Sequence, residues 1–292
     1  MISVRYLMVW TLLSDTKYQV KTQCSGTSAE IIVGYSVSSI TSPGYPNGYD
    51  GGLKCSWVAR TEVQGDVLLI MSTENTLSCS SDTVNVHDGK NSSTNKLIEN
   101  HCSSNGNAAQ SGFGTTSAES AYIEFVSDST SEPTEKGFII KIISGNDFSE
   151  SSCSLPVNLT ASTNPQYITS PNFPEEYATY INCQWIIQNT LGRVKLNLIF
   201  MDIEEDEFCS YDYLKVTDEG YSLKLCKEKS WSEIIYVSNG TSITVDFHSD
   251  DQQTKRGFIL SYQQTNLPCS YCSANITRPF YIFMFILALC LS

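Results

Sequence analysis

The amino-acid sequence contains two copies of one long pattern. The first copy has Ser-Pro-Gly-Tyr-Pro beginning at Ser42 and Cys-Ser-Trp beginning at Cys55. The second has Ser-Pro-Asn-Phe-Pro beginning at Ser170 and Cys-Gln-Trp beginning at Cys183. Matched positions lie about 120–130 residues apart, far more than a solenoid repeat of roughly 20–50 residues. The chain is therefore a duplicated domain, and a site in one copy can be checked against the other.

Three further features recur in the same order. Each copy has a cysteine with an aspartate three places later, then a Ser-Asp pair after an apolar run, then a closing Gly-Phe. In the first copy these are Cys79 with Asp82, Ser127-Asp128 and Gly137-Phe138. In the second copy they are Cys209 with Asp212, Ser249-Asp250 and Gly257-Phe258.

Length and charge restrict the class of function. The 292 residues suit two domains of ordinary size, each long enough to bury a core. The formal net charge is −13 at pH 7, which argues against nucleic-acid binding, because proteins that bind nucleic acids need a basic face. The acidity is compatible with cations or basic partner surfaces as ligands, but solubility alone also explains it.

The cysteines favour an oxidising compartment. Of the 11 cysteines, four fall in each copy, which suggests two disulfides per domain. No CxxC pair lies inside either domain, so a zinc site is a weaker interpretation. Four cysteines allow three pairings, and spacing alone does not choose among them. Three cysteines lie beyond the second copy: Cys269, Cys272 and Cys290.

The beginning of the chain and its sequons also favour secretion. Residues 1–14 place the apolar run 6–13 after Arg5, as in a short signal peptide. Four Asn-x-Ser/Thr acceptors predict a glycoprotein. They are Asn91, Asn158, Asn239 and Asn275.

The C-terminal segment predicts attachment to the cell surface. Residues 280–292 form an almost wholly apolar tail after a stalk at 266–279. A helix of about a dozen residues rises roughly 18 Å, too little for a hydrocarbon core of about 30 Å. A short apolar tail after small residues is typical of a glycolipid (GPI) signal, with Ser273 as the candidate attachment site. A marginal tail anchor, or no anchor at all, are the alternatives.

Short strands dominate both copies. Apolar and polar residues alternate over residues 194–198 and 243–247, and residues 122–125 and 138–142 are rich in β-branched and aromatic side chains. The Gly-, Ser- and Asn-rich stretch at 103–114 predicts a loop. Many short strands with disulfides predict an all-β protein of two sandwiches.

Each copy resembles a CUB domain, a jelly-roll β-sandwich of extracellular proteins. The resemblance rests on the Ser-Pro-x-aromatic-Pro turn, Cys-x-Trp, Cys-x-x-Asp, Ser-Asp and Gly-Phe. It implies a first domain at 24–144, a linker at 145–152 and a second domain at 153–265. It also implies sequential disulfides: Cys24 with Cys55, Cys79 with Cys102, Cys153 with Cys183, and Cys209 with Cys226.

The resemblance further implies one calcium ion in each copy. The family's ligands are a glutamate five residues before the third cysteine, the aspartate three residues after it, and the Ser-Asp aspartate. These map to Glu74, Asp82 and Asp128 in the first copy, and to Glu204, Asp212 and Asp250 in the second. The family also uses the tyrosine after the Ser-Pro turn to brace the site, and the matching residues here are Tyr49 and Tyr177. Calcium is a hard cation that takes 6–8 oxygen ligands, so three carboxylates suit it.

The function that these features favour is calcium-dependent protein binding at the cell surface, by adhesion or as a co-receptor. In relatives such a site often binds a partner's lysine or arginine through charge-assisted hydrogen bonds. The alternatives are a carbohydrate or glycoprotein binder like the CUB proteins that coat sperm, and a structural coat. The chain has no H-E-x-x-H and no G-x-S-x-G motif, and we predict no enzymatic activity.

Overall fold

The computed structural model describes residues 24, 28–77, 82–102, 112–129, 136–148, 151, 153 and 156–268. The chain divides into two compact units, with the boundary between Asn146 and Asp147. The described residues of both units form β-strands joined by turns and loops, which confirms the predicted all-β class. None of the described residues belongs to a helix long and apolar enough to cross a membrane.

The first unit contains two sheets. Its strands are β1 (Ala29–Val33), β2 (Ser38–Thr41), β3 (Lys54–Thr61), β4 (Val67–Asn75), β5 (Thr83–Asp88), β6 (Lys96–His101), β7 (Gly112–Thr115), β8 (Ser120–Val126) and β9 (Phe138–Gly145). One sheet has the order β1-β3-β8-β5-β6 and the other β2-β9-β4-β7.

The second unit repeats this arrangement. Its strands are β10 (Val157–Thr160), β11 (Gln166–Thr169), β12 (Asn182–Gln188), β13 (Arg193–Asp202), β14 (Tyr213–Asp218), β15 (Tyr221–Leu225), β16 (Lys229–Val237), β17 (Ser242–His248) and β18 (Gly257–Thr265). The sheet orders are β10-β12-β17-β14-β15 and β11-β18-β13-β16. In each unit the first strand pairs in parallel, β1 with β3 and β10 with β12, and the remaining pairs described are antiparallel.

Alternation along the strands builds each core. In β12, Cys183, Trp185 and Ile187 are buried while the residues between them are half-buried. Successive side chains of a strand point to opposite faces, so a period of two directs every second residue between the sheets. The ring of Trp185 meets Phe258 edge-on at 6.1 Å between centroids, and Trp57 meets Phe138 in the same way at 6.2 Å. The Trp of Cys-x-Trp and the closing Phe are thus core partners in both units.

The closing glycine lets the Ser-Pro turn dock against the last strand. Gly257 has a φ of 86°, and a Cβ atom there would lie 1.8 Å from Oγ of Ser170. That hydroxyl oxygen accepts a hydrogen bond from the N–H of Phe258 at 3.1 Å. Gly137 and Ser42 repeat the arrangement, with a φ of 99° and a distance of 1.9 Å. Only glycine combines this backbone conformation with so close an approach.

The four strands expected from sequence patterns lie within β13, β17, β8 and β9. The prediction of a loop at 103–114 is wrong for its last three residues. Residues 112–114 belong to β7, which pairs with β4. The glycines make room for neighbouring side chains there. A Cβ atom at Gly114 would lie 2.7 Å from Cβ of Leu97, and one at Gly112 would lie 3.0 Å from Cγ2 of Ile98. Residues 103–111 lie outside the described part.

Three disulfides tie the described segments together. They join Cys24 to Cys55, Cys153 to Cys183, and Cys209 to Cys226. The pairing expected for Cys79 falls outside the described residues. So do the expected signal peptide at 1–14, the tail at 280–292, Ser273 and Asn275. Among the other expected glycosylation sites, Asn91 and Asn158 are exposed and Asn239 is half-buried.

Candidate metal centre

Three carboxylates converge at one end of the second unit. Glu204 follows β13 in one sheet, whereas Asp212 precedes β14 and Asp250 follows β17 in the other. One oxygen atom of each side chain lies within 4.8 Å of the other two. Strand ends from both sheets therefore place the three acids together although they are distant in sequence.

Asp212 is the fixed centre of this cluster. Its side chain is buried, with 1 % of its surface exposed. Oδ2 accepts a hydrogen bond from the Tyr177 hydroxyl at 2.6 Å, and Oδ1 accepts one from the backbone N–H of Asp250 at 2.7 Å. Because a buried carboxylate is costly unless its oxygens are satisfied, these two donors hold the side chain in one orientation.

Tyr177 is positioned by the loop between β17 and β18 and by the core. Its backbone N–H donates to the carbonyl oxygen of Lys255 at 2.9 Å, and its ring meets Phe247 edge-on at 5.1 Å. Its hydroxyl oxygen also accepts from the backbone N–H of Glu204 at 3.2 Å. Burial, followed by the hydrogen bond to Asp212, raises the pKa of Tyr177, so the phenol remains protonated and donates. One hydroxyl thus contacts two of the three acids.

Glu204 has the electrostatics of a cation ligand. The residue is 5 % exposed, and its Oε2 atom is buried without a hydrogen-bond partner. Burial, followed by the charges of Asp212 and Asp250, raises the pKa of Glu204. Three converging acids repel one another, and a divalent cation removes that conflict. The unsatisfied oxygen and the all-oxygen donor set fit calcium.

Asp250 is held by the serine that precedes it. Ser249 Oγ donates to the carbonyl oxygen of Ala178 at 2.8 Å and accepts from the N–H of Ile181 at 2.9 Å. The N–H of Tyr180 donates to the carbonyl oxygen of Asp250 at 2.8 Å. Ser249 is not among the residues that the sequence predicts for the site, although its recurrence as Ser127 in the first copy is a signal for it.

The loop 203–212 carries Glu204 and Asp212 and is internally cross-linked. The carboxylate of Asp206 accepts from the N–H groups of Ser210 at 2.8 Å and Phe208 at 3.2 Å. These backbone hydrogen bonds, that of Ser210 above all, lower the pKa of Asp206. The disulfide from Cys209 to Cys226 joins the loop to the residue after β15.

The first unit repeats the described part of the cluster. The Tyr49 hydroxyl donates to Oδ2 of Asp82 at 2.5 Å, and the N–H of Asp128 donates to Oδ1 of Asp82 at 2.8 Å. Asp82 is 1 % exposed. The backbone of Glu74 lies in β4, while its side chain lies outside the described part. The structure therefore brings together Asp82, Asp128 and Tyr49, as it does Asp212, Asp250 and Tyr177.

Comparison with known families accounts for both units. The sequence matches the CUB domain over residues 24–142 and 153–262. The chain belongs to the CUB-domain family. Its first and second CUB domains carry the matched clusters around Asp82 and Asp212.

Similar proteins are much longer than this chain. It is 26 % identical over 235 residues to embryonic protein UVS.2 of Xenopus laevis. The aligned region covers 78 % of this chain and 42 % of UVS.2. It is 27 % identical over 237 residues to human cubilin, spanning 78 % of this chain and 6 % of cubilin. It is 25 % identical over 254 residues to the dorsal-ventral patterning protein tolloid of Drosophila melanogaster. The aligned region covers 84 % of this chain and 22 % of tolloid. The chain therefore spans less than half the length of these relatives.

Two of the solved structures that the chain is similar to are CUB-domain structures of MASP-1. The MASP-1 CUB2 domain bound to Ca²⁺ is 30 % identical, covers 36 % of this chain and 96 % of its own, and has a TM-score of 0.32. The CUB1-EGF-CUB2 domains of rat MASP-1 are 21 % identical, cover 80 % of this chain and 99 % of their own, and have a TM-score of 0.33.

Proposed function

We propose that this chain is an extracellular, calcium-dependent protein-binding module that acts in adhesion or as a co-receptor. Its acidic domain edges bind lysine or arginine side chains of a partner. The observation that carries this proposal is the convergence of Glu204, Asp212 and Asp250 around a buried Glu204 oxygen that has no donor. An interior carboxylate oxygen left unsatisfied is costly unless a ligand completes it.

Calcium would be held by Glu204, Asp212 and Asp250 in the second domain and by Glu74, Asp82 and Asp128 in the first. The ion supplies positive charge and oxygen coordination, for which extracellular modules have dissociation constants of roughly 10⁻⁴ to 10⁻³ M. The chain itself supplies the preorganisation, because Tyr177 and the N–H of Asp250 orient Asp212. In the first domain Tyr49 and the N–H of Asp128 do the same for Asp82.

The partner's basic side chain would bind to carboxylate oxygens at the same edge. Asp250 is half-buried and therefore reaches solvent, whereas Asp212 is buried. Carboxylates accept strong hydrogen bonds from lysine and arginine, and the net charge of −13 attracts a basic surface. Two such edges on one chain increase avidity through effective concentration where both can engage.

The proposed location is the outside of the cell. Disulfides in both domains suit an oxidising compartment, and Asn91 and Asn158 present exposed side chains for glycosylation. A glycolipid at Ser273 would hold the chain on the membrane. Treating intact cells that display the protein with a phosphatidylinositol-specific phospholipase should release it. Retention on the cell surface would contradict the lipid anchor and leave the two calcium sites unaffected.

Calorimetric titration with Ca²⁺ tests the proposal directly. The wild-type protein should bind two ions, and Asp250→Asn should bind one. Asp246→Asn is the matched control, because it removes the same charge from β17 outside the cluster, where Asp246 accepts a hydrogen bond from Gln184. Binding to an immobilised lysine-containing peptide should require Ca²⁺. Its affinity should fall in the Asp250→Asn variant and stay unchanged in the Asp246→Asn control. An absence of calcium heat, or equal peptide binding with chelator, would overturn the proposal.

A further inference from the structure

Exposed aromatic side chains are concentrated at the end of the second domain that carries the carboxylate cluster of Glu204, Asp212 and Asp250. Tyr180 is 73 % exposed, Phe208 75 % and Tyr211 51 %. Among the side chains that the structure describes, these are the exposed aromatic ones, and the other large exposed hydrophobic residues are aliphatic. Isolated exposed apolar residues are ordinary, but a group around one site marks an interaction surface.

Tyr180 and Tyr211 adjoin residues of the carboxylate cluster, and Phe208 lies in the loop that carries two of its acids. The N–H of Tyr180 donates to the carbonyl oxygen of Asp250, and Tyr211 directly precedes Asp212 in the chain. Phe208 lies in the loop 203–212, where its N–H donates to Asp206. We call Tyr180, Phe208 and Tyr211 the aromatic rim.

The aromatic rim is displayed on a constrained backbone. The disulfide from Cys209 to Cys226 lies between Phe208 and Tyr211, and Asp206 accepts hydrogen bonds within the same loop. Rigid presentation reduces the entropy lost on binding, which favours these aromatic rings as contact residues.

The first domain provides an internal comparison. Gly52 corresponds to Tyr180, because its N–H donates to the carbonyl oxygen of Asp128 as that of Tyr180 donates to Asp250. The spacing from the third cysteine matches Phe208 with Ser78 and Tyr211 with Ser81. The second domain therefore has three aromatic residues where the first has a glycine and two serines.

Tyr180 also occupies a backbone conformation that favours glycine. Its φ is 59°, in the left-handed region, and Gly52 has a φ of 74° at the matching position. A bulky side chain in this region costs free energy, and such residues concentrate at functional sites. The second domain thus bears a conformational cost that presents an aromatic ring beside Asp250.

We propose that the aromatic rim restricts the second domain to basic side chains that are flanked by apolar residues on the partner protein. This inference rests on the proposed function and specifies its partner. The carboxylates bind the charge, the aromatic rings bury the apolar neighbours, and a cation near a ring face gains a further attraction. Tyrosine and other aromatic residues frequently dominate binding energy in protein interfaces. The first domain, without the rim, binds basic groups with no such preference.

The test compares two immobilised peptides, Gly-Leu-Lys-Leu-Gly and Gly-Ser-Lys-Ser-Gly, with the full chain in millimolar Ca²⁺. In an Asp82→Asn background, which isolates the second domain, the leucine-flanked peptide should bind roughly tenfold more tightly. The triple variant Tyr180→Gly, Phe208→Ser, Tyr211→Ser should lose this preference. It should still bind calcium, as measured by calorimetric titration. The control variant Leu191→Ser, Ile234→Ser removes exposed aliphatic residues from the same domain and should keep the preference.

The outcomes separate this inference from the proposed function. Normal calcium binding with equal affinity for both peptides would overturn the inference alone. If the wild-type protein showed neither heat on calcium titration nor binding to either peptide, the proposed function would be overturned. Calcium-dependent binding to phosphatidylcholine–phosphatidylserine vesicles that the triple variant abolishes would overturn the inference in favour of a membrane contact.

Discussion

The backbone N–H of Asp250 donates to the Asp212 carboxylate at 2.7 Å, and this hydrogen bond connects the end of β17 to the start of β14. Asp128 and Asp82 make the same contact in the first domain at 2.8 Å. The bond brings two like charges close together before any cation is present. A backbone donor satisfies one carboxylate oxygen, and the remaining repulsion favours cation binding.

Replacing Asp212 by asparagine should weaken both calcium binding and the fold. Without calcium, we expect the second domain to lose about 2 kcal/mol of unfolding free energy, because a buried charged acceptor of two hydrogen bonds is removed. Calcium should no longer raise the melting temperature of that domain. Calorimetric melting with and without chelator measures both effects. Asp82→Asn is the matched variant and should affect the first domain alone; equal effects on both domains would contradict the assignment.

Tyr177→Phe removes one hydroxyl and leaves two polar groups without their partner. Oδ2 of Asp212 loses its donor and the N–H of Glu204 loses its acceptor. Since an unsatisfied buried group costs about 1–3 kcal/mol, chemical denaturation should show a loss of about 2 kcal/mol. Tyr180→Phe removes an exposed hydroxyl and should change stability by less than about 0.5 kcal/mol. Equal stabilities for the two variants would show that the Tyr177 hydroxyl does not brace the site.

The fold was predictable because its determinants are local and repeated. Alternation in residues 243–247 predicts a strand, and the structure has β17 there. Duplication allowed Cys183 and Trp185 to be matched with Cys55 and Trp57. The loop prediction was wrong at Gly112, because a high glycine content is found both in loops and in strands that other side chains approach closely.

The candidate site was predictable in its acids and less so in its surroundings. The resemblance to CUB domains implied Glu204 and Asp212 as ligands, and the structure brings both near Asp250. The bonds of Ser249 to Ala178 and Ile181 depend on loops that meet only in the folded domain. Exposure of Phe208 has no sequence signature either, because apolar residues are normally expected in the core.

Glu204 should make the calcium-free second domain less stable as pH rises. Burial and the charges of Asp212 and Asp250 raise its pKa in the folded state above the ordinary value of 4.5. The folded state therefore binds more protons than the unfolded state, so this contribution favours folding at low pH. It is lost as pH rises through the folded pKa.

The measurement is the melting temperature of wild type and Glu204→Gln in chelator, from pH 4.5 upward. Glutamine cannot ionise, so the variant should become increasingly more stable than wild type as pH rises. Taking the difference between the two proteins cancels the titrating groups that do not interact with Glu204, so it reports Glu204 together with the acids beside it. A difference that does not change with pH would contradict the raised pKa of Glu204.

Tyr180→Gly should stabilise the second domain while weakening its interaction with a partner. At a φ of 59°, glycine avoids a steric cost of about 1 kcal/mol, so the melting temperature should rise by a few degrees. Tyr180→Ala is the matched control, because it removes the ring but keeps the Cβ atom. Both variants should bind the leucine-flanked peptide less tightly, and only the glycine variant should melt higher than wild type. If the alanine variant melted as high as the glycine variant, the ring rather than the backbone would be the source of the cost.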